Sequence, residues 1–263
     1  MGRVVAIANQ KGGVGKTATA VNLAAAVAIA ERPTLLIDAD PQANSTRALG
    51  FAHDPERPSL YDALVDDTGF DALKLVYEEL PNLHLVPSDR NLVGAEVELV
   101  NEMGREYRLK RFLEPVRDLF DFTFIDCPPS IGLLTLNALA AADAVLVPVQ
   151  CEYLALEGIS QLLDTVERVR AALNGDLEID GVLMTMYDER TNLARQVVEE
   201  VRNVFGDQVY RTVIPRNIRL GEAPSHGQPI FLYDIRSKGS EAYLSLAEEF
   251  LQHEEKGIGQ RAS

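Results

Sequence analysis

Lys11-Gly12-Gly13-Val14-Gly15-Lys16-Thr17 stands between the apolar run Val4–Asn9 and the alanine-rich stretch Thr17–Ala30. A strand, a glycine-rich turn and a helix in that order form the context in which such a run binds phosphate. Glycines let backbone N–H groups turn inward and approach phosphate oxygens closely. The helix N-terminus adds unsatisfied donors and the positive end of its dipole. Lys16 reaches the outer phosphates and the Thr17 hydroxyl can ligate Mg²⁺. The expected nucleotide site therefore comprises Lys11, Gly12, Gly13, Val14, Gly15, Lys16, Thr17 and the backbone of Ala18.

Outward from the loop, strand and helix patterns alternate. Thr34–Asp38, Leu83–Pro87, Phe122–Asp126, Ala144–Pro148, Gly181–Met186 and Val209–Pro215 read as strands. Helical patterns fall at Ser59–Val65, Tyr107–Leu119, Glu157–Leu173, Leu193–Phe205 and Ser240–His253. Fully apolar strands alternating with helices predict an α/β fold. The expected form is one doubly wound, mostly parallel sheet with helices on both faces. Residues 51–81 read as irregular and acidic. The domain is expected to span residues 1–254, with 255–263 a frayed tail.

Two carboxylates end the second strand, in Asp38-Ala39-Asp40-Pro41. At the carboxyl end of a parallel strand they point into the ligand crevice. Asp38 reads either as a water or Mg²⁺ holder or as a turn cap. Asp126 closes the apolar run Phe122–Ile125, the pattern that sets a carboxylate beside Mg²⁺. The expected metal shell is Thr17 with Asp40 and Asp126, the two carboxylates acting through water.

The second lysine of the loop, Lys11, is not needed by an ordinary phosphate loop. Lys-Gly-Gly-x-Gly-Lys-Thr resembles the deviant Walker A motif of the ParA/MinD class of ATPases. Asp126-Cys127-Pro128-Pro129-Ser130, Pro148–Tyr153, Arg190-Thr191-Asn192-Leu193, Ile214–Leu220 and Glu222–Gly227 extend the likeness to the ParA/Soj chromosome-partitioning ATPases. It covers about residues 3 to 252 and leaves 51–80 variable. The loop begins near residue 10, so the N-terminal helix-turn-helix of some relatives is expected to be absent. Where the family usually has a second Thr, this chain has Ala18, which loses a side-chain contact to the α-phosphate.

The resemblance implies ATP as ligand, hydrolysed slowly, with Lys11, Lys16 and Asp40 catalytic. It implies an ATP-bound homodimer in which Lys11 crosses to the partner's nucleotide. Pro215-Arg216-Asn217 would pack on the adenine; from the residues alone they read as a turn. Arg190 and Arg219 match positions that bind double-stranded DNA without sequence preference, and Arg195, Arg202, Arg216 and Lys238 could add to that face. A ParB-type partner would stimulate hydrolysis. The expected place is the cytoplasm, on the nucleoid when ATP is bound.

The formal net charge of −15 over 263 residues argues globally against nucleic acid, which is read by Lys and Arg. Residues 185–240 nevertheless hold eight basic against seven acidic side chains, so a local basic face remains possible. No run of 18 apolar residues suggests a membrane span. The C-terminal segment is acidic where a MinD-type amphipathic anchor would be basic. That counts against a membrane-cycling positioning ATPase, which stands with a nucleotide-dependent regulator of replication or transcription as the alternative readings. Cys127 and Cys151 read as buried thiols, outside the motifs that an electron-carrying relative needs for a cluster. His53, His84, His226 and His253 form no metal constellation.

Overall fold

The computed structural model describes residues 2–51, 54, 56–66, 71–153 and 155–261. Eight strands form one sheet: β1 (Arg3–Ile7), β2 (Thr34–Asp38), β3 (Tyr77–Leu80), β4 (Leu83–Val86), β5 (Phe122–Asp126), β6 (Ala144–Gln150), β7 (Glu178–Tyr187) and β8 (Val209–Pro215). Their spatial order is β3-β4-β2-β5-β1-β6-β7-β8. All neighbours are parallel except β3 and β4.

The helices in chain order are α1 (Lys16–Ile29), α2 (Asn44–Ala48), α3 (Leu60–Val65), α4 (Leu92–Glu98), α5 (Arg108–Leu113), α6 (Leu133–Ala141), α7 (Ala155–Ala172), α8 (Asn192–Phe205), α9 (Ile218–Glu222), α10 (Ile230–Tyr233) and α11 (Lys238–Arg261). Alternate residues of each strand serve opposite faces of the sheet. Val4 and Ala6 join the core beneath α3 to α8, while Val5 and Ile7 join the core beneath α1, α10 and α11. Burial on both faces is why these strands read as unbroken apolar runs rather than alternating ones.

Three features differ from the sequence reading. Residues 51–81 are not wholly irregular, because β3 adds an antiparallel edge strand folded back through Pro81 and Asn82. Asn82 takes a φ of 63°, a conformation asparagine tolerates in tight turns. Helix α6 lacks an amphipathic stripe because Leu134, Ala138, Leu139 and Ala141 are buried together with Thr135 and Asn137. The last helix runs to Arg261 rather than ending at His253. His53 and residues 262–263 lie outside the described residues.

Two neighbouring N–H groups of the edge strand β8 share one side-chain acceptor. The buried Glu249 carboxylate of α11 accepts the N–H groups of Arg211 (2.7 Å) and Thr212 (2.9 Å). Burial pushes this carboxyl up, but the N–H bonds outweigh it and hold it below the usual range. The stabilisation is therefore present above the ordinary glutamate range and is lost as pH falls through the lowered value. Glu249→Ala should cost about 2 kcal/mol, since two edge donors lose their acceptor. Urea unfolding at pH 7 measures this, and the difference from wild type should shrink toward pH 3.

Candidate functional site

Parallel pairing in register fixes the site. Asp38 of β2 and Ile7 of β1 both stand opposite Asp126 of β5, so all three strand ends finish at one level. The phosphate loop leaves β1 at that level and returns as α1. Gly13 and Gly15 have φ of 75° and 90°, which only glycine adopts without strain. No atom would contact a Cβ at Gly12 or Gly13, so the space in front of the loop is open.

The loop is tied down from β6 and β7. Asn9 accepts the Lys11 N–H (2.9 Å) and donates to the Pro148 carbonyl (2.8 Å). Thr185 donates its hydroxyl to the Val14 carbonyl (2.8 Å). Neither Asn9 nor Thr185 carries a spacing signal, because each acts through contacts more than a hundred residues away in sequence.

The two lysines are placed differently. Lys16 is buried, and its Nζ donates to the Lys11 carbonyl at 3.1 Å, inside the loop's own turn. Burial lowers its pKa, while the Asp126 and Asp40 carboxylates oppose that shift. Lys11 is half-exposed at the rim, with Nζ 3.0 Å from Glu152 Oε2. Glu152 lies 141 residues further along the chain, so no local spacing pairs it with Lys11.

Asp126 is fully buried, and its Oδ2 accepts the Ser45 hydroxyl at 2.7 Å. Its Oδ1 is buried without a partner. Burial pushes the carboxyl up to about 6, opposed first by the Ser45 hydrogen bond and then by the nearby Thr17 hydroxyl. An orphaned hard oxygen next to a threonine hydroxyl, facing the open loop, suits Mg²⁺, which binds through one or two carboxylates and takes phosphates and water for the rest. Among the described residues no group of three or more His, Cys, Asp or Glu side chains is arranged to hold a metal by itself.

Asp38 takes the turn-cap role of its two readings. Its Oδ2 accepts both the N–H (2.8 Å) and the hydroxyl (2.7 Å) of Thr46, and its Oδ1 accepts the Asp40 N–H (3.2 Å). Burial and then the Asp126 charge raise it to about 7. Asp40 is held through its backbone on the other side as well, because Ser88 at the end of β4 donates its hydroxyl to the Asp40 carbonyl (2.8 Å). The Ser88 N–H donates in turn to Thr46 Oγ1 (3.0 Å). The Asp40 carboxylate accepts the Gln42 N–H at 2.8 Å.

Pro215-Arg216-Asn217 follows β8 as expected. Asn217 Oδ1 accepts the Arg219 N–H (2.8 Å) and caps α9, so only the amide NH₂ remains to donate to another group. Arg190, Arg216 and Lys238 line one surface groove of about 920 Å³, which α11 also supplies with Glu241, Glu248 and Glu249. Arg219 and Arg195 lie outside its lining. Four of the six expected DNA cations have a side-chain partner: Arg190 is bidentate on Asp188 (2.7 and 2.8 Å), Arg219 pairs with Glu222 (2.8 Å), Lys238 with Glu189 (3.4 Å) and Arg195 with Asn192 (2.7 Å). Arg190 is the main cause that holds Asp188 down at about 2.

A phosphate loop, a buried lysine and a strand-end carboxylate with a free oxygen define a nucleoside-triphosphate site of the P-loop class. The family model described as an AAA domain matches residues 2–179. The chain is 55% identical to "Chromosome partitioning protein ParA" of Myxococcus xanthus, covering 97% of this chain and 89% of that one. It is 57% identical to "Sporulation initiation inhibitor protein Soj" of Bacillus subtilis, covering 95% and 98%. A Mycobacterium smegmatis structure titled cobyrinic acid a,c-diamide synthase, with bound ADP and magnesium, superposes with a TM-score of 0.84 at 40% identity, covering 98% and 97%. The chain belongs to the ParA/Soj family of chromosome-partitioning ATPases.

Proposed function

We propose that this ATPase is a DNA-partition switch. ATP with Mg²⁺ occupies the loop, two copies close over two nucleotides, and the dimer holds double-stranded DNA without sequence preference. A ParB-type partner speeds hydrolysis, and hydrolysis lets the monomer leave the nucleoid. The observation that carries this reading is the division of labour between the two lysines. Lys16 is buried in its own loop, whereas Lys11 stands at the rim on a single exposed carboxylate. An exposed ion pair of this kind contributes little, so the Lys11 ammonium is free to exchange Glu152 for a phosphate presented by a second copy.

In the nucleotide site each residue has a separate task. Backbone N–H groups of residues 12–18 bind phosphate oxygens, and Lys16 meets the charge that develops on transfer. Thr17 and Asp126 would hold Mg²⁺, which neutralises that charge when bound. Asp40 orients the attacking water. Burial pushes Cys151 up to about 12, and Cys127 further, away from a reactive thiolate.

If Asp40 positions water, the residue that holds its carbonyl matters for turnover. Ser88→Ala should lower kcat roughly three- to tenfold, the worth of one buried hydrogen bond, and leave KM unchanged. Steady-state phosphate release measures both. An unchanged kcat would remove Ser88 from the account.

DNA binding tests the whole reading. With ATP, affinity should fall steeply with salt, but less steeply than the bare cation count implies, because Asp188, Glu189 and Glu222 already neutralise their partners. Arg219→Ala and Gly13→Val should each reduce binding strongly, the first at the DNA face and the second by filling the loop. A salt series with ATP, ADP and no nucleotide reads this out. Absence of DNA binding in every state, with binding to liposomes in ATP, would favour the membrane-positioning alternative.

A further inference from the structure

The segment Glu222-Ala223-Pro224-Ser225-His226-Gly227 carries no atom of the phosphate site, yet it packs on the element nearest to it. Gly50 closes α2 and Gly227 closes the 3-10 turn Ala223–His226, with φ of 81° and 65°. Their backbones touch. A Cβ at Gly227 would lie 2.5 Å from Gly50 Cα and 3.0 Å from its N, and a Cβ at Gly50 would lie 2.9 Å from the Gly227 carbonyl oxygen. Only two glycines allow that approach.

Both sides of the contact lead somewhere. On one side α2 hangs on the two buried carboxylates of the site, with Ser45 on Asp126 and Thr46 on Asp38. On the other side the turn continues from α9, which carries Arg219, and leads into α10. Asn22 of α1 accepts the Ile230 N–H (2.8 Å) and donates to the Ala18 carbonyl (2.8 Å), so the far end of the segment is also fixed to the helix that opens at the loop. Between these supports lies a cavity of about 520 Å³ bordered by Thr17, Ala18, Asn22, Arg47, Pro224 and Ser225. Rigid packing on both sides transmits a shift of α2 rather than absorbing it.

We propose that the Gly50–Gly227 contact is the joint through which the nucleotide state of the loop reaches Arg219. The proposal rests on the DNA-binding reading above for its output, though not for the motion itself. When the groups around Asp126 rearrange on a bound nucleotide, α2 follows Ser45 and Thr46. Gly50 then displaces Gly227 and re-aims the segment 218–233. Arg219 exchanges Glu222 and Asp234 for phosphate.

The test compares the full chain with Gly227→Ala and with Gly206→Ala. Gly206 also has a positive φ (54°), but a Cβ there would meet nothing, so this control imposes backbone strain without blocking a contact. The first readout is hydrogen exchange of residues 218–233 with and without a non-hydrolysable ATP analogue. The second is the ratio of DNA affinity in ATP to that in ADP. Wild type and Gly206→Ala should show both responses, with a ratio of about tenfold or more, in the range usual for coupled sites. Gly227→Ala should bind a fluorescent ATP analogue within about twofold of wild type and lose both responses. The proposal is overturned if exchange at 218–233 in the wild type ignores the nucleotide, or if Gly227→Ala keeps the wild-type ratio. Because the first result needs only the wild-type chain, misfolding of the variant does not protect the idea. Nucleotide-dependent exchange without DNA binding in any state would sink the partition reading and leave the joint in place.

Discussion

Lys16→Ala should abolish measurable ATP hydrolysis, lowering kcat/KM by about 10²- to 10³-fold or more, the usual cost of removing one preorganised donor from a charge-developing site. The Lys16 ammonium donates to the Lys11 carbonyl at 3.1 Å, inside the turn where a phosphate oxygen would lie. It is buried, so its charge is little screened by solvent. Burial draws its pKa down and the Asp126 and Asp40 carboxylates oppose this, which ties the cation to the acids it neutralises. Removing it leaves Asp126, already raised by burial, with less to favour its ionised form. The variant should therefore stay folded with that carboxyl more protonated, and lose both nucleotide affinity and turnover. Calorimetric titration with ATP and a phosphate-release assay separate the two. Wild-type affinity with wild-type turnover would mean that Lys16 is only a loop brace.

The phosphate loop, β2, β5 and β8 were legible because local sequence and global fold agree there. β2 and β5 are short, fully buried apolar runs whose polar ends are Asp38 and Asp126, and β8 shows as an apolar-rich run ending at Pro215 although its Arg211 is exposed. The groups that support the site were not legible. Ser88 meets Asp40, and Thr46 meets Ser88, only because β4 pairs with β2 in one register. The Arg190–Asp188 pair lies in a turn where a spacing of two carries no pairing signal, and Asp234, the second carboxylate on Arg219, lies fifteen residues from it. The approach of Gly50 to Gly227 spans most of the chain, and a lone glycine in a loop looks the same whether or not another backbone passes it. The hidden helix α6 shows the converse, since burial all round erases the periodicity by which a helix is read.

Asp40→Ala should separate binding from hydrolysis. The backbone of Asp40 is fixed at its N–H by Asp38 and at its carbonyl by Ser88, while its carboxylate is engaged by the Gln42 N–H at Oδ1. Truncating the side chain leaves those backbone clamps intact, so the loop, Lys16 and Asp126 should keep their places. Loss of a positioned proton acceptor typically costs about 10²- to 10⁴-fold in the chemical step. Single-turnover hydrolysis should fall by that factor while the dissociation constant for ATP changes less than about threefold, since uniform binding does not depend on this side chain. If hydrolysis is the step that ends DNA binding, the variant should also stay on DNA after ATP is chased, where the wild type leaves. Stopped-flow release from labelled DNA measures this directly. Hydrolysis at the wild-type rate would move the water-positioning role away from Asp40. Slow hydrolysis with prompt release would mean that nucleotide exchange, rather than cleavage, empties the DNA.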